Sequence, residues 1–245
     1  MSKLFDFLLC ILIIAIFQTT ANADIAEKTS PWSGSVQFGY NGTGGNSRDN
    51  NLTGKLNTLY NKNKWHNTYK LEALFSNSHS KTTAERYAGT FEFNYNFKQH
   101  RFTFYRNNDI YDKFNTYDLT IVNAIGYGQR IYDGNKLTID AQGGPGYRYA
   151  RIAGAHKTDN GVILYLGSTI NWQISKTANF QENVNMEAGL NNIMTKSESS
   201  LSTDIIGNLG LQISFTITHN SKIPPYSTKT KKTDYRTDLT LLFSF

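Results

Sequence analysis

The last eleven residues of this 245-residue chain place Tyr235, Thr237, Leu239, Leu241, Phe243 and Phe245 at every second position. Successive side chains of a strand point to opposite faces, so this segment has one apolar, aromatic face that runs to the final residue. The same pattern recurs upstream. Trp32, Val36, Phe38 and Tyr40 alternate with Ser33, Ser35, Gln37 and Gly39. Trp65, Tyr69, Leu71, Ala73 and Phe75 alternate with His66, Thr68, Lys70 and Glu72, and Tyr87, Phe91, Phe93, Tyr95 and Phe97 with Arg86, Thr90, Glu92, Asn94 and Asn96. Three further segments follow suit, around Leu137–Tyr149, Phe180–Leu190 and Leu211–Ile217. Asn123 and Glu182 break the rule, since each falls on the apolar face of its segment.

Repeated apolar/polar alternation at strand length is the pattern of a transmembrane β-barrel, where one face meets lipid and the other the lumen. It also explains a negative mean hydropathy beside 13% aromatic residues, because each strand averages out as polar. The connections point the same way. Short breaks at Asn61–Lys64, Lys98–His100, Tyr132–Asn135, Ser175–Ala178 and Gly207–Gly210 alternate with longer ones. The longer ones are expected at Gly42–Asn50, Asn77–Ala84, Tyr111–Thr116, Ala150–Asn160, Asn191–Glu198 and Asn220–Lys232. Short turns on one rim and long loops on the other fit a Gram-negative outer-membrane barrel. The expected fold is all-β, an antiparallel barrel of about twelve strands with both termini periplasmic. Tyrosine and tryptophan near segment ends (Trp32, Tyr40, Tyr60, Trp65, Tyr147, Tyr149, Trp172) suit the interfacial aromatic girdles.

The first residues read as a cleaved export signal. Lys3 gives a thin basic start, Phe7 to Phe17 are unbroken apolar residues, and Ala21-Asn22-Ala23 supplies the small-x-small cleavage pattern. Residues 1–23 are thus expected to be a signal peptide, 24–31 a short periplasmic lead-in, and 32–245 the barrel. The apolar run is too short for a spanning helix. Cys10, the only cysteine, lies inside it, so the exported chain is expected to carry no disulfide framework and no thiol chemistry.

An ordered set of short pieces carries a resemblance. They are Trp32-Ser33-Gly34, Thr82-Thr83-Ala84-Glu85-Arg86-Tyr87, Gly126-Tyr127-Gly128-Gln129-Arg130, Gly143-Gly144-Pro145-Gly146-Tyr147-Arg148-Tyr149, Trp172-Gln173-Ile174-Ser175, His219-Asn220-Ser221 with Pro224-Pro225, and Lys232-Thr233-Asp234. Together they resemble the YdiY-like salt-induced outer-membrane proteins, a family catalogued as a domain of unknown function. Gln129 departs from the basic residue expected there. The resemblance implies an outer-membrane barrel and a link to osmotic or envelope stress, and it brings no catalytic residues. Tyr235, Leu239, Leu241, Phe243 and Phe245 resemble the terminal signal read by the barrel-assembly machinery.

The candidate lumen-lining residues are Lys70, Glu72, Arg86, Glu92, Asp118, Asp140, Arg148, Glu187, Asp204, Arg236 and Asp238. Two roles remain open for them. They could line a narrow aqueous path for small polar solutes, or they could neutralise one another, as Lys70 with Glu92, and fill the barrel. The expected role is structural or passive transport, with a narrow porin as the alternative. Lys222, Lys229, Lys231 and Lys232 cluster near the last strand, and with a net charge of +6 they suit an anionic partner such as lipopolysaccharide phosphates. Outer-membrane lipid is the other expected partner; nucleic acid is not one. No cofactor or metal is expected. An enzyme is not expected either, although His219 and Ser221 are the one pair to weigh for a lipid hydrolase. Gly143-Gly144-Pro145-Gly146 has no helix after it and so reads as a bend or a close approach, not a phosphate cradle.

Overall fold

The computed structural model describes residues 30–42, 49–79, 81–154, 157–223 and 231–245. The expected signal peptide lies outside them. Twelve strands follow one another in sequence. They are β1 (Trp32–Gly42), β2 (Asp49–Lys62), β3 (Trp65–Ser78) and β4 (Lys81–Lys98). Then come β5 (Arg101–Asp112), β6 (Tyr117–Asp133), β7 (Leu137–Ile152) and β8 (Lys157–Gln173). The last are β9 (Ala178–Gly189), β10 (Ile193–Ile206), β11 (Leu209–Asn220) and β12 (Thr233–Ser244). Each pairs antiparallel with its neighbours in sequence, and β1 pairs with β12, so the sheet closes into the expected twelve-stranded barrel. Closure matters in lipid because each backbone group left unpaired in hydrocarbon costs several kcal/mol.

The seam is completed by the final residue. Gly34 N donates to Phe245 O at 2.9 Å, and Phe245 N donates to Gly34 O at 2.9 Å. A Cβ on Gly34 would stand 2.8 Å from Cζ of Phe245, so the terminal ring lies over this glycine.

Exposure identifies the faces. Leu239 and Leu241 are 60% and 51% exposed, while Asp238 and Thr240 beside them are 8% and 2% exposed. The outer wall of β1 to β6 is a continuous aromatic surface. Trp32 packs on Tyr60 (centroids 4.7 Å apart), Trp65 on Tyr95 (5.1 Å) and Phe75 on Tyr87 (5.5 Å). Trp32, Trp65 and Trp172 all stand at strand ends beside the short turns, where a girdle belongs.

The short turns are tight. Asn63–Lys64, Gln99–His100 and Gly207–Asn208 are two-residue hairpins, with positive φ at Asn63 (56°), His100 (60°) and Gly207 (54°). The opposite rim differs from expectation. Its connections are 43–48, 79–80, 113–116, 153–156, 190–192 and 221–232, so only the last is long. Strands such as β4 and β8 continue through Lys81-Thr82-Thr83 and Lys157-Thr158-Asp159. Ladder hydrogen bonds need no apolar side chains, so these polar strand ends carry no alternation to reveal them.

The two residues that break the lipid-facing pattern are satisfied locally. Asn123 accepts from Tyr105 Oη at 2.8 Å and from Asn107 Nδ2 at 3.2 Å. The Glu182 carboxylate accepts from Ser197 Oγ at 2.6 Å and from Ser199 Oγ.

The glycine run is a close approach. A Cβ on Gly144 would stand 2.1 Å from Ile125 O, and one on Gly126 would stand 2.2 Å from Gly143 O. Phe104 pairs with Gly126 and Tyr165 with Gly144, so the two glycines leave room for these rings to meet, with centroids 5.8 Å apart. A side chain at Gly144 has nowhere to go, whereas a Cβ on Gly54 meets nothing within 4 Å. Gly144→Val is therefore expected to cost about 3 kcal/mol in urea unfolding of the refolded barrel, and Gly54→Val less than about 0.5 kcal/mol. Equal midpoints for the two variants would rule out the close approach.

Candidate functional site

The candidate site is the lumen, built from the inward positions of all twelve strands. On β12 and its neighbours the charges bridge across intervening strands. Lys55 Nζ on β2 donates to Asp238 Oδ2 on β12 at 2.9 Å, reaching past β1. Arg236 Nη1 and Nη2 on β12 donate to the Glu72 carboxylate on β3 at 2.7 and 3.1 Å. Glu72 also accepts from Arg86 Nη1 on β4, and Arg86 Nε lies 3.7 Å from Asp112 on β5. Arg236 Nε lies 3.1 Å from Asp238 but outside hydrogen-bonding geometry. One chain of alternating charge thus runs from β2 through β12 and β3 to β5. Below it, Gln37 and Gln212 exchange amide hydrogen bonds at 3.4 and 3.3 Å, and Thr240 Oγ1 donates to Gln37 at 3.3 Å.

The β4 to β9 side is filled differently. Glu92 on β4 stands directly opposite Arg106 on β5 and accepts from its Nη1 at 2.9 Å. Gln142 Nε2 on β7 donates to Glu92 at 3.2 Å, and Tyr165 Oη donates to Asn185 Oδ1 at 2.6 Å. The Arg106 guanidinium lies 5.5 Å from the Tyr165 ring centroid, a cation–π distance. Phe104, Ala124 and Tyr165 form a buried apolar cluster, with Phe102 against it. This inward apolar wall departs from the expectation of a polar lumen. Its signal lies in the glycines facing the rings, not in the strand that carries them.

Ten of the eleven candidate lumen residues share the inward face: Lys70, Glu72, Arg86, Glu92, Asp140, Arg148, Glu187, Asp204, Arg236 and Asp238. Asp204 is exposed at the short-turn rim, beside a register shift. Asp118 is a correction. A bulge between Tyr117 and Leu119 turns it to the outer wall, where it accepts from Arg151 Nε at 2.7 Å. Arg151 itself lies between the inward residues Ala150 and Ile152 and so points outward. The expected Lys70–Glu92 pairing is not made either, because register sets Lys70 opposite Thr90 and gives Glu92 to Arg106. Lys55, Arg106, Asp112, Asp159, Lys196 and Glu198 join the inward charges. Their strands show weak alternation, so sequence alone does not flag them.

Tyr235, Leu239, Leu241, Phe243 and Phe245 all face outward on the closing strand. Lys222, Lys231 and Lys232 are exposed on the long connection, and Lys229 lies outside the described residues. His219 and Ser221 are not joined. The His219 ring is hydrogen-bonded to Thr233 Oγ1 at 2.9 Å, and Ser221 Oγ donates to Asn192 Oδ1 at 3.2 Å. His79 contacts Ser78 at 3.1 Å. Among the described residues there is no cluster of His, Cys, Asp or Glu able to hold a metal ion.

Residues 36–245 match the family described as "Protein of unknown function, DUF481". The chain belongs to that family. Among its curated relatives is YdiY of Escherichia coli K12, an uncharacterized protein 26% identical over 230 residues, or 92% of this chain and 88% of that one. Among solved structures, an outer-membrane channel of Pseudomonas putida F1 superposes with a TM-score of 0.52 at 10% identity, covering 91% of this chain and all of that one. The NanC porin gives 0.48 at 8% identity, over 86% of this chain and 97% of that chain. At 10% identity the likeness to the Pseudomonas channel is one of fold, that of an outer-membrane barrel.

Removing Asp238 leaves Lys55, a cation held inside the barrel, without its carboxylate and takes from Arg236 one of its two. Asp238→Asn should cost about 3 kcal/mol in urea unfolding. Asp140→Asn, which breaks the half-exposed pair with Arg130 near the rim, should cost below about 1 kcal/mol. Similar losses for both would mean that the central charges are solvated like surface ones.

Proposed function

We propose that this DUF481 barrel is an integral outer-membrane protein whose lumen is held closed by its own side chains. In this reading it serves the envelope as a structural barrel and passes at most small polar solutes. The carrying observation is the Arg236–Glu72 pair, which joins β12 to β3 across two strands with Arg86 on its far side. Open pores line their walls with charges that face water. Here the inward charges face one another, and Phe104 and Tyr165 occupy the opposite side at 2% and 1% exposure. The lipid-facing belt and the family resemblance support placement in the outer membrane, with the short-turn rim toward the periplasm. The long connection with Lys222, Lys231 and Lys232 then lies outside, near lipopolysaccharide phosphates. The outward aromatic face of β12 supports recognition by the assembly machinery. A link to salt or envelope stress rests on the resemblance alone.

The narrow-porin alternative draws on Lys70, which points inward and makes no ion pair within 4 Å among the described residues. Planar-bilayer recording of the refolded exported chain decides between them, with heat-modifiable gel migration as the folding control. The closed-lumen reading expects no stable conductance steps from the unmodified protein and several-fold larger currents from Glu72→Ala/Arg236→Ala. Stable steps from the unmodified barrel would favour the porin.

A further inference from the structure

The wall of the barrel is stepped between β8 and β9 at the rim of the long connection. β8 pairs with β7 up to Ile152–Lys157, but its last pair with β9 is Ile163–Gly189. Residues 158–162 therefore rise above β9, which turns back into β10 through residues 190–192. The gap holds a cavity of about 700 Å³, within the usual range for small-ligand sites. Its lining comes from both faces of the sheet. Arg148 and Asp159 belong to the inward face, whereas Val162, Leu164 and Leu190 are outward and 70%, 49% and 97% exposed. The cavity therefore borders both faces of the sheet at this step.

The two ends differ in chemistry. At the inner end Arg148 is 5% exposed and its Nη2 donates to Asp159 Oδ2 at 2.8 Å. Asn191 Nδ2 donates to the other Asp159 oxygen at 3.0 Å. At the outer end Val162, Leu164 and Leu190 meet the surroundings, with Asn160 at the rim above them. In register, Val162 stands opposite Tyr147 and Asn160 opposite Tyr149. These tyrosines belong to the upper aromatic band, so the mouth opens where hydrocarbon meets headgroups.

We propose that this notch is a lateral binding site for one single-chain zwitterionic amphiphile drawn from the surrounding membrane. Its hydrocarbon chain lies over Val162, Leu164 and Leu190. Its anionic group faces Arg148, and its ammonium faces Asp159. A cation beside a carboxylate, at the inner end of an apolar notch, suits a head that carries both charges and disfavours a purely anionic one. The volume suits one chain. The inference goes beyond the closed-lumen reading and stands whether or not the lumen conducts, because entry is from the lipid-facing side.

The test is native mass spectrometry of the full exported chain, refolded into phosphatidylcholine nanodiscs and titrated with sixteen-carbon lysophosphatidylethanolamine or lysophosphatidylglycerol. The expected result is a single retained lysophosphatidylethanolamine, favoured at least tenfold over lysophosphatidylglycerol. That preference is measured on the unmodified barrel and needs no variant to fold. Val162→Asp should weaken retention at least tenfold, while Leu201→Asp, on the outer wall of β10 away from the notch, leaves it unchanged. Equal retention of the two lipids, several equivalents without saturation, or equal effects of both substitutions would overturn the proposal in favour of ordinary annular lipid.

Discussion

Everything in this structure depends on pairing the backbone in a medium that offers no hydrogen bonds. Twelve strands, each joined to two neighbours, pair most of the backbone; the ladders that stop short include β8–β9, which ends at Ile163–Gly189, and the β1–β12 seam, which runs over four residue pairs. Closure fixes which side chains face lipid and which face inward, and the period of two follows along every strand. The seam between β1 and β12 is the last pairing to complete this arrangement. Its closing hydrogen bonds belong to Gly34 and the terminal Phe245.

A closed sheet of this size leaves an interior that must be filled or flooded. The chain fills it in two ways. From β2 to β5, and across to β12, long charged side chains alternate in sign and bind one another past the intervening strands. From β5 to β8, glycines on β6 and β7 bring the backbones together and let Phe104 and Tyr165 close the space above them. Arg106 joins the two halves, bonded to Glu92 and set over the Tyr165 ring. Burying the charges of this network is tolerable because each of its members meets an opposite charge, and that pairing is also what makes loss of a single partner costly.

The strand count, the outward face of β12 and the tight hairpins were legible because alternation and turn chemistry are local signals. Local signals end where register begins. Lys70 and Glu92 both read as inward, yet only the pairing of β3, β4 and β5 tells that Glu92 meets Arg106. Asp118 fits the inward pattern until a bulge, which carries no mark of its own in the sequence, turns it outward. The opposite rim read as long loops because polar strand ends such as Lys157-Thr158-Asp159 look like loop to any test built on apolar residues. That same misreading concealed the step between β8 and β9, and with it the notch. Asn123 and Glu182, which looked like errors of pattern, are genuine polar positions on the lipid-facing wall, each hydrogen-bonded to its neighbours.

The central claim is that the lumen is spanned by side chains bound to one another and not merely lined by them. A double-mutant cycle between Glu72 and Arg236 tests it most directly, using Glu72→Gln, Arg236→Gln and the pair together, with unfolding free energies measured in lipid vesicles. These residues sit on β3 and β12, separated by β1 and β2, so any coupling between them must cross the interior. A coupling energy above about 1.5 kcal/mol is the expected result, in the range of close, desolvated charge pairs. Additivity within about 0.3 kcal/mol would contradict it, since water would then separate the two charges and the barrel would be open at its centre.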